Sequence, residues 1–587
     1  MPASRADGPP PAGEAARLRA AAREWAADDP DPGDRAELEA VLRSGDLYDL
    51  AERFASPLTF GTAGLRGAIG AGPARMNRAT VRRVSAGLAA YLREVVPVAG
   101  QGPVASGPVV IGFDARRRSA EFADEAAAVL TGAGLRVLRL PGPVPTPVLA
   151  FAVRHFGASA GVMVTASHNP RDDNGYKVYW SDGAQIIPPV DAGIAAAAAA
   201  TGPLRAIPLG GPGEALGGDV VDAYLDAIVP AVVDGARRDR AALRVAYTPM
   251  HGVGRDTLLR AFRRAGFAEP ATVTAQAEPD GEFPTLPRPN PEEPGALDLL
   301  RAEGTRIGAD LLLANDPDAD RLAAGIPDPD APGGWRILTG DEIGALLGHH
   351  LLARAPDPAT ALLVTTVVSA GLLGRIAAAG GARYAETLTG FKWITRAAGG
   401  VPGSRFLFGY EEALGYAVTG IVRDKDGISA ALALADAAAR AKRDGGSLAG
   451  LLDGLARRFG LYATGQVSLP LSGGVSAASV LDTVRSAAPP ALLGQAVVAT
   501  DDLSLGIRSR PDGTKEPLAL PRSDVVIWRC GDGARVAVRP SGTEPKVKIY
   551  LQVVLPAAGA AGLAPLRARA ARLLADLREE VTEVLDL

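Results

Sequence analysis

VMVTASHNP, residues 162–170, is a short apolar run that stops at a serine. Val162, Met163 and Val164 read as the end of a buried strand, and Asn169-Pro170 is a turn signal. Ser167 therefore falls on a loop at the carboxyl edge of a sheet, where open α/β sheets bind their ligands. A lone Ser-x-Asn-Pro is more often a capped turn than a site. Ser167 gains a chemical reading from three other strand-then-loop segments, which carry a carboxylate trio, a pair of glutamates and an anion cradle.

Outward from that stretch the pattern alternates. A helix near 80–95, a strand at 108–116, a helix at 119–133 and a strand at 135–140 precede the serine loop, and NGYKVYW, 174–180, follows it as a short aromatic strand holding Lys177. Strands alternating with helices predict a parallel sheet with helical crossovers. Upstream, EAARLRAAAREWAADD (14–29) has helical composition, and SPLTFGTAGLRGAIG (56–70) surrounds Arg66 with glycines. Glycines let the backbone approach a ligand and arginine forks onto phosphate oxygens, although a lone stretch of this kind is more often a plain surface loop. A second block opens near 219; its strand RVAYT (244–248) ends in PMHGVG, where His251 reads as structural, and its strand ADLLLAN (309–315) runs into DPDADR. A third block holds ALLVTTVVS (361–369), TLTGFKWI (387–394) and SRFLFGYEEALGY (404–416), and RDKDGISAALALADAAARAK (423–442) turns from a loop into an amphipathic helix. The last, from about 465, contains VVIWRC, ARVAVRPSGTEPKVKIYLQVV and a closing helix near 562–585.

Size and composition bound the function. A chain of 587 residues is too long for one core and predicts three to five domains. At 47% hydrophobic, 22% charged and a net charge of −4, it has no nucleic-acid or membrane signature. It contains no run of 18 apolar residues, and MPASRADGPPPAGEAA reads as a disordered tail rather than a targeting peptide. The single cysteine, Cys530, excludes an intramolecular disulfide and suits a reducing cytoplasm. Of five histidines only His349 and His350 are close, and neighbours on a helix face different directions, so no histidine-rich zinc site is expected.

DPDADR, 316–321, is the strongest local signal. Asp316, Asp318 and Asp320 stand at period two, so in an extended loop their side chains share one side. Crowded carboxylates need a cation, and a set of hard oxygens favours Mg²⁺. A calcium loop fails because its sixth position is Arg321, not glycine, and the other alternative, a solvated acidic turn, is less common directly after a buried strand. RPSGTEPK, 539–546, offers Arg539, Ser541, Thr543 and Lys546 around Gly542, which reads equally as an anion cradle or as a decorated hairpin turn.

As a set, TASHNP, DPDADR, GYEEALGY and RPSGTEPK resemble, in order and one per block, the phosphoserine, magnesium, sugar and phosphate loops of the α-D-phosphohexomutase superfamily. GTAGLRG, TGFKWI and GYEEALGY are most similar to its long phosphoglucomutase and phosphopentomutase branch. Phosphomannomutases typically carry a sugar loop closer to GEMSGH. The resemblance implies three mixed or parallel α/β sheet domains plus a smaller α+β C-terminal domain around a central cleft. The expected divisions are a flexible tail and leading helix at 1–30, then domains at 31–218, 219–338, 339–462 and 463–587, with one loop per domain. It further implies a phosphate on Ser167 and one Mg²⁺ held by Asp316, Asp318, Asp320 and a phosphoserine oxygen. Lys177 is implied as proton shuttle, and Arg66 and His168 as contacts to the transferring group. Glu411, Glu412 and Lys392 are implied on the sugar, and Arg539, Ser541, Gly542, Thr543 and Lys546 on the phosphate that does not react. His168 is not expected to activate Ser167, because neighbours on an extended chain point oppositely.

The expected activity is a cytoplasmic phosphoglucomutase, monomer or dimer, acting on a small phosphosugar through a sugar 1,6-bisphosphate that is both intermediate and activator. The alternatives are a phosphopentomutase or dual-specificity mutase, a bisphosphate-synthesising enzyme and a metal-dependent phosphatase. The last predicts a second metal cluster, and the sequence offers none. A non-catalytic sugar-phosphate binder should have lost Ser167 or an aspartate, and all are present.

Overall fold

The structure is a computed structural model that describes residues 11–61, 64–94, 107–235, 239–471, 476–541, 546–560 and 562–585. Two compact units divide it, one taking the chain up to Ile337 together with Gly415–Asp436, the other Leu338–Leu414 with Ala437 onward. No described helix is long and apolar enough to cross a membrane.

The first unit contains two mixed sheets. One runs in the order Leu65–Ala68, Asp173–Trp180, Ala160–Val164, Val109–Phe113, Val137–Pro143 and Glu214–Ala215. Its three central strands are parallel, and the first two pairings are antiparallel. Val162 and Val164 join a core with Leu88 and Phe122 from the helices Arg78–Glu94 and Ser119–Gly132. On the other face Met163 packs with Leu149 of Thr146–His155 around Gly112. A strand covered on both faces has to be apolar throughout, which is why its sequence does not alternate. Each such buried side chain contributes about 1.5–3 kcal/mol.

The second sheet runs Trp335–Ile337, Ala323–Pro327, Leu311–Ala314, Val245–Thr248 and Ala271–Thr272, parallel among the last three. The segment Gly415–Asp436 belongs to this unit and docks by buried polar bonds. Tyr179 Oη and Gln185 Nε2 donate to Asp424, Tyr224 Oη donates to Asp426, and Arg240 Nε donates to Asp436.

In the second unit, parallel strands Arg383–Thr387, Ala361–Thr366 and Arg405–Glu411 lie side by side, with Gly340–Leu352 packed on the last. A Thr339–Glu342 capping box starts that helix. The terminal sheet is antiparallel, in the order Leu461–Pro470, Lys546–Leu555, Arg535–Pro540, Val526–Cys530, Gln495–Asp502, Ile507–Ser509 and Lys515–Pro517. Helices Ala477–Ser486 and Ala564–Val584 close one face of it. The fold class is thus the predicted one, three α/β sheets followed by an antiparallel terminal domain. Residues 1–10 of the expected tail lie outside the described residues, and the leading helix spans Ala12–Asp28.

Candidate active site: a serine on a carboxylate trio

Strand register assembles the site in the first unit. Phe113 pairs with Val164, so the strands end level and Asp114 stands beside Thr165, whose Oγ1 donates to it at 2.6 Å. Thr248 pairs with Ala314 in the same way, setting the Pro249–Gly254 loop alongside DPDADR. Val253 N donates to Pro317 O at 2.9 Å, and Gly252 lies so close that a Cβ there would meet Pro317 Cα at 2.4 Å.

Two expectations about these loops need correcting. DPDADR is a turn with Ala319 at φ 56°, not an extended run; the turn, rather than a two-residue period, gathers the three carboxylates. Ser167 is likewise left-handed, at φ 55°, so the extended-chain reason for separating it from His168 fails. Ser167 Oγ lies 3.0 Å from His168 Nδ1 and donates to Asp316 Oδ2 at 2.7 Å. Burial, followed by the charges of Arg321, Arg66, Arg116 and Lys177, holds the His168 pKa well below the ordinary histidine value. The imidazole is therefore neutral near pH 7.

Asp316, Asp318 and Asp320 are fully buried, and one oxygen from each falls within a 4.8 Å cluster. Lys177 Nζ reaches Asp318 at 2.7 Å and Asp320 at 3.0 Å, Lys425 Nζ lies 3.4 Å from Asp320, and Thr146 Oγ1 donates to Asp318 at 2.7 Å. Burial opposes the Lys177 charge, but the two carboxylates outweigh it and raise its pKa. Burial and the charges of Asp318 and Asp320 push Asp316 well above the carboxylate range. Burial acts the same way on Asp318, but Lys177 holds it below that range. Asp318 Oδ1 and Asp320 Oδ1 are buried without a hydrogen-bond partner. Orphaned hard oxygens beside a carboxyl with raised proton affinity fit a divalent cation such as Mg²⁺. Arg66, on the strand Leu65–Ala68, donates from Nη1 to Asn169 Oδ1 at 3.0 Å, which brings the fourth expected residue against the serine loop.

The second unit holds the other expected residues. Glu411 Oε1 accepts from Gly390 N at 2.6 Å, joining the paired-glutamate loop to the short helix Phe391–Ile394 that carries Lys392. Glu412 turns to Ser369 Oγ at 2.9 Å and Thr366 Oγ1 at 3.3 Å. Arg539 donates from Nε and Nη2 to Tyr550 Oη at 3.3 and 3.2 Å, and Ser541 N donates to Lys546 O at the mouth of the hairpin. Gly542 and Thr543 lie outside the described residues.

Sequence reading missed Arg116, Asp114, Thr146 and Lys425. The first three follow strand ends at the same sheet edge as Ser167, a positional signal that was available. Lys425 arrives from a hundred residues away and gave none.

Similarity to known proteins places the chain in one family. Models of the phosphoglucomutase/phosphomannomutase family match as α/β/α domain I over residues 57–204, domain II over 222–328, domain III over 339–459 and the C-terminal domain over 511–570. The chain is 39% identical over 516 residues to a probable phosphomannomutase of Haemophilus influenzae, covering 87% of this chain and 98% of that protein. It is 33% identical over 578 residues to a phosphopentomutase of Mus musculus (92% and 91% covered). It is 34% identical over 512 residues to a phosphoglucomutase of Staphylococcus haemolyticus (85% and 91% covered). Its relatives are phosphosugar mutases, and with all four domain models matched the chain belongs to the phosphoglucomutase/phosphomannomutase family of the α-D-phosphohexomutase superfamily.

Proposed function

We propose that the protein is a phosphoglucomutase, interconverting glucose 1-phosphate and glucose 6-phosphate through a phosphorylated Ser167 and glucose 1,6-bisphosphate. The observation that carries this is a buried serine hydroxyl 2.7 Å from Asp316, in a carboxylate trio with two unpartnered oxygens. Asp316, Asp318 and Asp320 would hold Mg²⁺. When bound, the ion would neutralise charge on the moving phosphoryl group and, by sharing Asp318 and Asp320, lower the proton affinity of Lys177.

In the first transfer the Oγ–P bond at Ser167 breaks and a P–O bond forms to the 6-hydroxyl, while the Lys177 ammonium gives a proton to the departing Oγ and takes the 6-hydroxyl proton in its place. In the second, Ser167 Oγ attacks the 1-phosphate of the bisphosphate, the O1–P bond breaks, and Lys177 gives its proton to the sugar oxygen as it takes the serine's. Neutral His168 and Arg66 orient the transferring group. Glu411 takes sugar hydroxyls, while Glu412, engaged by Ser369 and Thr366, steadies the strand end beneath it. Lys392 contacts the sugar, and Arg539, Ser541, Gly542, Thr543 and Lys546 grip the phosphate that does not react.

A pentose 1-phosphate is the second reading, favoured by the similarity to the mouse phosphopentomutase over 92% of the chain. The test has two arms. Intact mass after incubation with glucose 1,6-bisphosphate should show one added phosphate, lost in Ser167→Ala together with mutase turnover; retained turnover in that variant overturns the mechanism. Side-by-side kcat/KM on glucose, mannose and ribose 1-phosphates should place glucose first. A higher value for ribose selects the second reading, and release of inorganic phosphate as the main product selects a phosphatase.

A further inference from the structure

Arg116 is 3% exposed and hydrogen-bonds to no side chain assigned to the reaction, yet its guanidinium is spent on the backbone of the serine loop. Nη2 donates to Ser167 O at 2.7 Å and Asn169 O at 2.6 Å, and Nη1 donates to Pro170 O at 2.8 Å and Asp173 O at 3.1 Å. Its Nε lies 3.5 Å from Asp114 Oδ2, and its outer face stacks over the Phe283 ring at 5.0 Å. Asp114 completes the circuit. It accepts from Thr165 Oγ1, which itself accepts from Ser167 N at 2.8 Å. The N–H and the C=O of Ser167 are thus both tied to one buried ion pair, and Ser167 sits between them at φ 55°, a conformation its side chain disfavours. A backbone clamped on both sides fixes where Oγ points.

We propose that Arg116, with Asp114, is a positioning residue for phosphoryl transfer: the pair holds the left-handed serine so that its Oγ lies at Asp316. This rests on the mutase reading above. The forked geometry is the essential part, because four carbonyls in two pairs match the planar guanidinium and cannot be matched by a single ammonium.

The test is Arg116→Lys in the full chain, with Asp114→Asn as a second variant that keeps the shape of the acceptor and removes its charge. Glucose 1-phosphate turnover with added bisphosphate, the phosphate content of Ser167 and the thermal midpoint are measured together. A misplacement of the nucleophile by about 1 Å costs about 100-fold, so kcat of Arg116→Lys should fall about 100-fold, with KM changed by less than about threefold. Phosphorylation of Ser167 by the bisphosphate should slow in parallel, and Asp114→Asn should lie between this variant and the parent in kcat. If Arg116→Lys fails to fold, the kcat of Asp114→Asn decides. A lowered midpoint with unchanged kcat, or a rise confined to KM, overturns the proposal and leaves an ordinary structural ion pair. A parent protein that neither accepts phosphate at Ser167 nor turns over any sugar phosphate instead overturns the mutase reading.

Discussion

Gly252→Ala asks how tightly the aspartate turn is seated. The position has no left-handed requirement, so the added methyl acts through contact alone. Its Cβ would stand 2.4 Å from both Cα and O of Pro317 and 2.7 Å from its carbonyl carbon. Ordinary contact begins near 3.4 Å, so the loop and the turn must part by about 1 Å. Pro317 lies between Asp316 and Asp318, and Val253 N donates to its carbonyl, so the displacement breaks that bond and moves two proposed metal ligands. Overpacking of this size costs about 1–3 kcal/mol of stability. A 1 Å shift at a reacting centre costs about 100-fold in rate. The assay is kcat as a function of Mg²⁺ concentration, alongside thermal unfolding. The expected outcome is a kcat reduced about 100-fold, a Mg²⁺ midpoint moved to higher concentration and a midpoint of unfolding lowered by a few degrees. A variant with the parent's Mg²⁺ curve and kcat would refute the view that the Pro249–Gly254 loop seats the turn.

Three further outcomes are expected. Asp318→Asn should lower kcat and weaken Mg²⁺ dependence together, because it removes charge from the carboxylate shared with Lys177; an unaltered metal response in the activity assay counts against its role as a ligand. Arg539→Met should raise KM several-fold with little change in kcat, since the phosphate it is proposed to hold does not react, and steady-state kinetics showing a kcat-only effect would contradict this. Asp29, 4% exposed, has its pKa pushed up to about 6 by burial, with hydrogen bonds from Asp31 N and Trp25 Nε1 partly opposing. A carboxyl raised this way adds stability below its unfolded value and loses it as pH climbs through 6, by up to about 3 kcal/mol for a two-unit shift. Asp29→Asn should therefore slow hydrogen exchange in Ala12–Asp28 at pH 7.5 and leave it unchanged or faster at pH 4; equal effects at both would refute the assignment.

What the sequence revealed, and what it hid, follows from how far each signal reaches. VMV before the serine and LLLA before the aspartates announced buried strands because both faces are covered, and their ends marked the loops that form the candidate site. Local pattern could not report dihedral angles. Ser167 and Ala319 both adopt left-handed conformations that their residue types seldom take, so an extended reading placed His168 away from Ser167 and explained the aspartate trio by the wrong geometry. Such conformations are held by partners distant in sequence, as Arg116 and Asp114 hold Ser167, and strand register decides who those partners are. Lys425 was hidden for the same reason, since nothing in RDKDG refers to Asp320.

The return of Gly415–Asp436 to the first unit means that the polypeptide passes between the two units three times. A fragment cut at Ile337 would not be a smaller version of that unit. It would leave Tyr179 and Tyr224 opposite missing acceptors and take one partner each from Gln185 and Arg240, each lost buried bond costing about 1–3 kcal/mol, and it would lack the second ammonium beside the trio. The half that bears Ser167 and the carboxylate trio is finished only after the chain has already built the GYEE loop, so synthesis from the ribosome cannot complete the candidate site in the order in which the domains are written.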